Sequence, residues 1–227
     1  MEKQDILKAL KELREKIKKR NFSQSIDILI NLRGLDLKKP DHKLDFFLQL
    51  PHKKGKIVKI AAIVDDQLAK QAKENFDTVI LKNELDKYKN NKKLQKKLAN
   101  DHDFFVAQAE LMVPTASTFG KVLGARGKMP SPKAGCVVPG TALLAPLKER
   151  LQYTVRLQTK NETSVKVSVG TESMSDDQIA DNILAVYNNI LLKLPQEKNN
   201  LRYVAIKTTM SPLFKIGEKN VIQSKSR

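Results

Sequence analysis

The strand-like segments of this chain change style twice, from half-buried alternation to unbroken apolar runs after His52 and back again at Tyr153. Period two, period 3.6 and an unbroken apolar run each demand a different neighbour to bury against, so the switches constrain the fold more than any motif does. Ahead of His52, Ile6, Leu10, Leu13 and Ile17 recur every three or four positions and predict a helix over 2–20. Residues 25–32 then alternate, with Ile26, Ile28, Ile30 and Leu32 on one face. Residues 44–50 do the same through Leu44, Phe46, Leu48 and Leu50. Such alternation predicts half-buried strands, expected to pair antiparallel with one another across the polar loop RGLDLKKPDHK.

After His52 the style changes. IVKIAAIV (57–64) is a short apolar run of the kind buried on both faces of a sheet. A helical stretch (66–75), DTVILK (77–82), a Lys-rich helix (83–98) and DFFVAQ (103–108) follow. Strand and helix in alternation predict a parallel α/β sheet. A helix near 145–151 ends this section, with Pro146 suited to its first turn.

From Tyr153 the half-buried pattern returns. TVRLQT and SVKVSVG read as a hairpin around Lys160–Glu162. Ser175 to Gln178 has the spacing of a capping box, and Ile179, Ile183, Val186 and Ile190 mark the buried face of the helix it starts. RYVAIKTT (202–209) is a last strand, followed by a polar tail beyond Gly217. The outer sections share one style and the middle has another. The expected architecture is a discontinuous α+β domain, 1–52 plus 153–227, with an antiparallel sheet and helices on one face. An inserted Rossmann-like parallel α/β domain, 53–152, interrupts it. The two connections, at one place, would act as a hinge.

Composition narrows function. Lys and Arg total 42 against 25 acids, a formal charge of +17. An excess that large favours salt-sensitive contact with a polyanion, nucleic acid first. The outer sections hold 12 basic and 8 acidic, then 11 and 7; the insert holds 19 and 10. No apolar run approaches the ~20 residues of a spanning helix, and the charged N-terminus lacks a signal-peptide core, so no membrane partner is expected. Cys136 stands alone, which leaves no disulfide framework or thiolate metal site and points to the reducing cytoplasm. His42, His52 and His102 are scattered, and no HExxH, GxSxG, GxGxxG or GxxxxGK[ST] pattern occurs. The first strand-to-helix turn of the insert, Val64-Asp65-Asp66, is acidic where phosphates would sit. No enzyme, cofactor or metal is expected.

Between Leu111 and Lys148 there is no Asp or Glu, yet five of the nine glycines and five of the nine prolines fall there. Its centre, GKVLGARGKMPSPK, reads as a shaped cationic loop presenting Lys121, Arg126, Lys128 and Lys133. Other segments admit two readings each. KYKNNKKLQKK (87–97) is a solvated helix face or a contact to a nucleic-acid backbone. Phe22 is a core anchor or an aromatic packed on RNA, with Gln24 and Ser25 beside it as hydrogen-bonding groups. Thr208-Thr209-Met210-Ser211-Pro212 is an ordinary strand end or a surface that nucleic acid can approach closely, its hydroxyls near a ribose. Arg156 and Lys166 are plain surface charges or cations on one shared outer face.

These segments, taken in order, resemble a family. GKVLGARGKMPSPK resembles the G-R-x-L-G-P-R-G-x-M-P-x-P-K signature of the large-subunit ribosomal protein "L-one" family. RNFSQS, Leu50-Pro51-His52 with Gly55-Lys56, and Thr209-Met210-Ser211-Pro212 match further family segments. DFFVAQAELM and VGTESMSDDQIADNILAV resemble its archaeal branch. Ala125 stands where the signature has Pro, expected to loosen the loop. Ser211 stands where the family has Gly, which raises the question of positive φ or a displaced loop.

The resemblance implies a split RNA-binding domain carrying Phe22, Gln24, Ser25, Lys166, Thr209, Met210 and Ser211, with Arg156 near. It implies a secondary RNA-facing or domain-interface role for Lys121, Arg126, Lys128 and Lys133. It further implies a ribosome-associated cytoplasmic protein, monomeric when free, that binds the mobile stalk of large-subunit rRNA and helps deacylated tRNA leave the exit site. Repression of its own mRNA is also implied. A free RNA-binding regulator outside the ribosome is the competing expectation.

Overall fold

The computed structural model describes residues 1–18, 20–39, 42–89 and 91–217. The polar tail read beyond Gly217 lies outside the described residues, as do positions 19, 40, 41 and 90 within the segments read above. The chain divides into two compact units, Met1–Lys56 with Tyr153–Arg227, and Ile57–Gln152. The first part holds α1 (Lys3–Lys16), β1 (Ser25–Leu32) and β2 (Asp45–Gln49). The middle holds β3 (Ile60–Val64), α2 (Asp66–Asn75), β4 (Thr78–Leu81), α3 (Leu85–Lys89), α4 (Lys92–Asp101), β5 (Phe104–Gln108), α5 (Met112–Arg126), β6 (Val137–Val138) and α6 (Leu144–Tyr153). The last part holds β7 (Thr154–Gln158), β8 (Ser164–Thr171), α7 (Asp176–Lys193), β9 (Leu201–Thr208) and β10 (Phe214–Lys215).

In the split unit, β1 buries every second residue, and Ile26, Ile28, Ile30 and Leu32 enter the core as their alternation requires. Its neighbours differ from those expected. The sheet order is β10-β9-β1-β8, all antiparallel, whereas β2 pairs only with β7 in a separate two-stranded ladder. The expected β1–β2 pair and the β7–β8 hairpin are both absent, because each of these strands finds its partner elsewhere. Alternation tells which face is buried, not which strand lies alongside.

Helix α1 lays Ile6, Ala9, Leu10 and Leu13 into the same core as Ile179, Ile183, Val186 and Ile190 of α7. Each buried Ile, Leu or Val among them contributes about 1.5–3 kcal/mol. The helix stops at Lys16, short of the expected residue 20, where Ile17 turns extended. The buried Asn182 side chain accepts from His52 N at 2.9 Å and donates to His52 O and Val169 O. The chain leaving β2 is thereby fixed to α7 inside this unit.

In the inserted unit the strand order is β4-β3-β5-β6, all parallel, and every residue of β3 is buried. The Lys-rich helix expected over 83–98 is two helices, with Asn91 capping α4 by accepting from Leu94 N at 3.2 Å. Gly120–Lys133, expected to be a cationic loop, is helical over its first half. That half forms the last turns of α5, which buries Thr115, Thr118, Phe119 and Leu123 at helical spacing. Gly120 and Gly124 sit where a Cβ would meet open space, so they weaken the helix without any packing reason. Ala125 continues the helix, where a proline would remove a backbone donor. Gly127, at φ 67°, ends it, with Gly127 N bonded to Gly124 O and Lys128 N to Leu123 O in a Schellman closure.

Cys136 is buried, and that burial pushes its thiol up to about 11. At neutral pH the thiolate fraction is then on the order of one part in ten thousand, and access is closed too. Native protein should therefore resist a thiol reagent, whereas urea-unfolded protein should label stoichiometrically within minutes. Fast labelling of the native chain would contradict this packing.

Candidate nucleic-acid interface

The start of β1 and the end of β9 meet at one corner of the split unit, since Ile26 is paired with Thr208 in the ladder. Thr209 N donates to Ser25 O at 3.1 Å, and Ser25 N donates back to Thr209 Oγ1 at 3.2 Å. The chain around Phe22 and the turn at Met210 are thus stapled side by side.

Gln24 holds this corner from below. It is 1% exposed. Its Oε1 accepts from Met210 N at 3.1 Å, and its Nε2 donates to Glu172 Oε1 at 2.9 Å. Glu172 Oε2 also takes Gln24 N at 3.2 Å, and Glu172 N donates to Gln24 O. Both ends of the Gln24 amide are committed, so this residue positions the turn and does not face solvent. Arg14 fixes the third strand end: it pairs with Asp176 at 2.7 Å and donates to Glu172 O and Met174 O.

Above this clamp two apolar side chains stand in solvent, Phe22 at 52% and Met210 at 61% exposure. Exposed large apolar groups on a hydrogen-bonded, rigid turn are what a partner can cover. Ser211 resolves the question of its glycine-like position. Among the described residues Glu197 alone has a positive φ outside glycine, so no strain arises at 211. Its hydroxyl accepts from Thr208 N at 2.8 Å and donates to Pro212 O, closing the turn. Thr208 is buried, and its hydroxyl has no partner among the described residues.

A groove of about 680 Å³ opens beside Phe22, with Leu13, Ile17 and Ile26 among its walls and Arg20 and Asn21 on its lip. Arg20 and Glu172 are members of this corner that the sequence reading missed. Glu172 is 148 positions from Gln24 in the chain, and no local pattern marks that pairing.

The other residues singled out in the sequence fall elsewhere. Arg156 lies on β7 and Lys166 on β8, strands of different sheets, so no ladder sets them side by side as the expected hairpin would. Arg156 makes a two-pronged pair with Asp45, both contacts at 2.8 Å, and lies over the Phe47 ring. That pairing raises the guanidinium pKa. Lys166 pairs with Glu162 at 2.6 Å, which lowers the Glu162 pKa. On the same outer side of β1, Asp27 faces Lys207 and Ser168 across the ladder; desolvation raises its pKa against their opposing pull.

In the inserted unit Lys121, Arg126 and Lys133 are exposed. Lys128 is not: its ammonium donates to Ala99 O at 2.8 Å and His102 O at 2.6 Å, at the C-terminal end of α4. At the crevice where strand order reverses, between β3 and β5, the buried Gln108 accepts from Asp65 N at 3.0 Å, and Asp65 caps α2. A carboxylate and a filled crevice suit no phosphate. Among the described residues no group of three or more His, Cys, Asp or Glu could hold a metal, and no helix is long and apolar enough to cross a membrane.

A family model described as the ribosomal protein L1p/L10e family matches residues 11–212. The chain is 45% identical to the large ribosomal subunit protein uL1 of Methanothermococcus thermolithotrophicus, covering 93% of this chain and 97% of that protein. It is 42% identical to the uL1 protein of Methanocaldococcus jannaschii, covering 95% and 96%. The uL1 protein of Pyrococcus horikoshii is 41% identical, again covering 95% and 96%.

Proposed function

The chain belongs to the ribosomal protein L1p/L10e family, and we propose that it is a structural protein of the large ribosomal subunit that binds a folded stalk of the large-subunit rRNA. The exposed Phe22 and Met210 on a turn clamped by Gln24 and Glu172 are the observation that carries this reading. Phe22 stacks on a base or ribose, and Met210 fills an apolar gap in the RNA surface. Ser25, Thr209 and Ser211 surround them with small polar groups that let the backbones approach. Gln24 acts through these residues rather than on the RNA.

Specificity in this account comes from the fit of a rigid protein corner to a folded RNA, with hydrogen bonds shielded from water. Attraction over distance comes from the formal charge of +17 and is salt-sensitive. No step is chemical. Bound at a stalk beside the exit site, the protein assists the departure of deacylated tRNA, and a stalk-like element in its own mRNA makes it a repressor of its own translation. Arg156, already paired with Asp45, and Lys166, already paired with Glu162, serve as rim charges.

Co-sedimentation tests the assignment. At moderate salt the protein should travel with large ribosomal subunits and be absent from small ones. Free protein at the top of the gradient, with intact binding to an isolated RNA hairpin, would point instead to a regulator working outside the ribosome.

A further inference from the structure

From the α3–α4 segment we infer a second RNA contact, in the inserted unit, that grips phosphates without reading bases. It rests on the RNA-binding reading above and adds to it a surface that the corner around Phe22 does not contain.

The lysines of this segment destabilise the helix that carries them. Between Asp86 and Asp101 there is no acid and there are six lysines. Helix α4 buries Gln95, Leu98 and Ala99, which turns Lys93, Lys96, Lys97 and Asn100 outward on the opposite face, at the helical spacing i, i+3, i+4, i+7. Lys92 flanks that face, and Lys89 precedes it; all five lysines are exposed. Lys92 and Lys93 occupy the first turn, where the helix dipole is positive and cations are disfavoured; that turn has no acid. Lys92 with Lys96, and Lys93 with Lys97, are like charges one turn apart, which also destabilises a helix.

Asn91 caps the helix start, but among the described residues no acid neutralises the stripe. Lys87 pairs with Glu84 at 3.7 Å, but Lys89, Lys92, Lys93, Lys96 and Lys97 enter no ion pair among the described residues. Asp101, one turn beyond Lys97, makes none with it either. The other end of α4 is the reverse case, since the Lys128 ammonium satisfies carbonyls there. A solvated face would carry mixed signs at no cost. An unmixed cationic stripe that opposes its own helix is relieved by an anion, and a phosphate near the first turn is attracted by the helix dipole and by Lys92 and Lys93 together. The spacing suits a run of phosphates, and lysine, a point charge on a flexible stem, meets them without the fixed geometry that base reading needs.

The test changes Lys89, Lys92, Lys93, Lys96 and Lys97 to Gln in the full chain. Affinity for a large-subunit rRNA stalk fragment and for an unrelated RNA duplex is measured between about 50 and 200 mM salt. If three of the five lysines reach phosphates, the slope of log affinity against log salt becomes shallower by about 2 to 3 for both RNAs, at about 0.7–0.9 per contact. The preference for the stalk is retained, and the variant melts at or above the parent, since repulsion has been removed. The corresponding five-Arg variant keeps the parent slope. An unchanged slope, or a lower melting temperature in the Gln variant, overturns the inference. A parent protein without preference for the stalk overturns the stalk reading instead, and the slope comparison still decides this one.

Discussion

Met210→Asp is expected to weaken binding to large-subunit rRNA by a hundredfold or more while the melting temperature stays within about 2 °C of the parent. Met210 is 61% exposed, and its fixed group is its backbone N–H, which donates to Gln24. Aspartate keeps that N–H and removes no core contact, so surface-level effects of about 0.5 kcal/mol on stability are the ceiling. Against RNA the same change removes a desolvated apolar contact and places a carboxylate among phosphates. Like charges brought together at an interface cost several kcal/mol, and each 1.4 kcal/mol is tenfold in affinity. Calorimetry or a thermal melt beside an RNA titration reads both quantities. A large loss of stability with intact affinity would mean that Met210 is part of the packing and not of the interface.

How much of this was legible in the residues differs by feature. Alternation in β1 named Ile26, Ile28, Ile30 and Leu32 as core, and all four are buried. The face of α7 carrying Ile179, Ile183, Val186 and Ile190 was equally plain, and each is fully buried. Strand neighbours were not legible, because β1 lies between β8 and β9, whose residues are more than a hundred positions away. The α5 segment misled for a chemical reason. Its glycines and flanking prolines suggest a loop, yet Phe119 and Leu123, one turn apart, bury into the core and carry the helix through Gly120 and Gly124. Lys128 misled in the same way, since a cation near a glycine-rich turn looks available until the carbonyls of Ala99 and His102 are found beside it.

The corner itself was half legible. Phe22 and Met210 were visible as odd residues at element ends, and both stand exposed. Gln24 drew attention for its chemistry, but its place under the surface depends on Glu172, a contact made only by the folded sheet. Ser211 in the place of a glycine is compatible with the turn because its hydroxyl satisfies Thr208 N. Rules of spacing reach along one element; the clamp joins three.

The central claim is that specific RNA recognition belongs to the split unit, with the insert supplying backbone attraction. The split unit can be isolated because its own contacts bring the cut ends near each other: Leu50 N donates to Tyr153 O at 3.0 Å, and Lys53 lies over the Tyr153 ring. Its core from α1, α7 and the four-stranded sheet is contributed by its own residues. Met1–Lys56 joined by a short flexible linker to Tyr153–Arg227 should therefore fold, and it should bind the stalk fragment within about tenfold of the full chain. The decisive measurement is a competition titration of this joined unit, and separately of Ile57–Gln152, with stalk RNA against unrelated RNA. The joined unit should keep the full chain's preference, and the insert should bind both RNAs weakly and alike. A folded joined unit that binds both RNAs equally, with the preference residing in the insert, would contradict it.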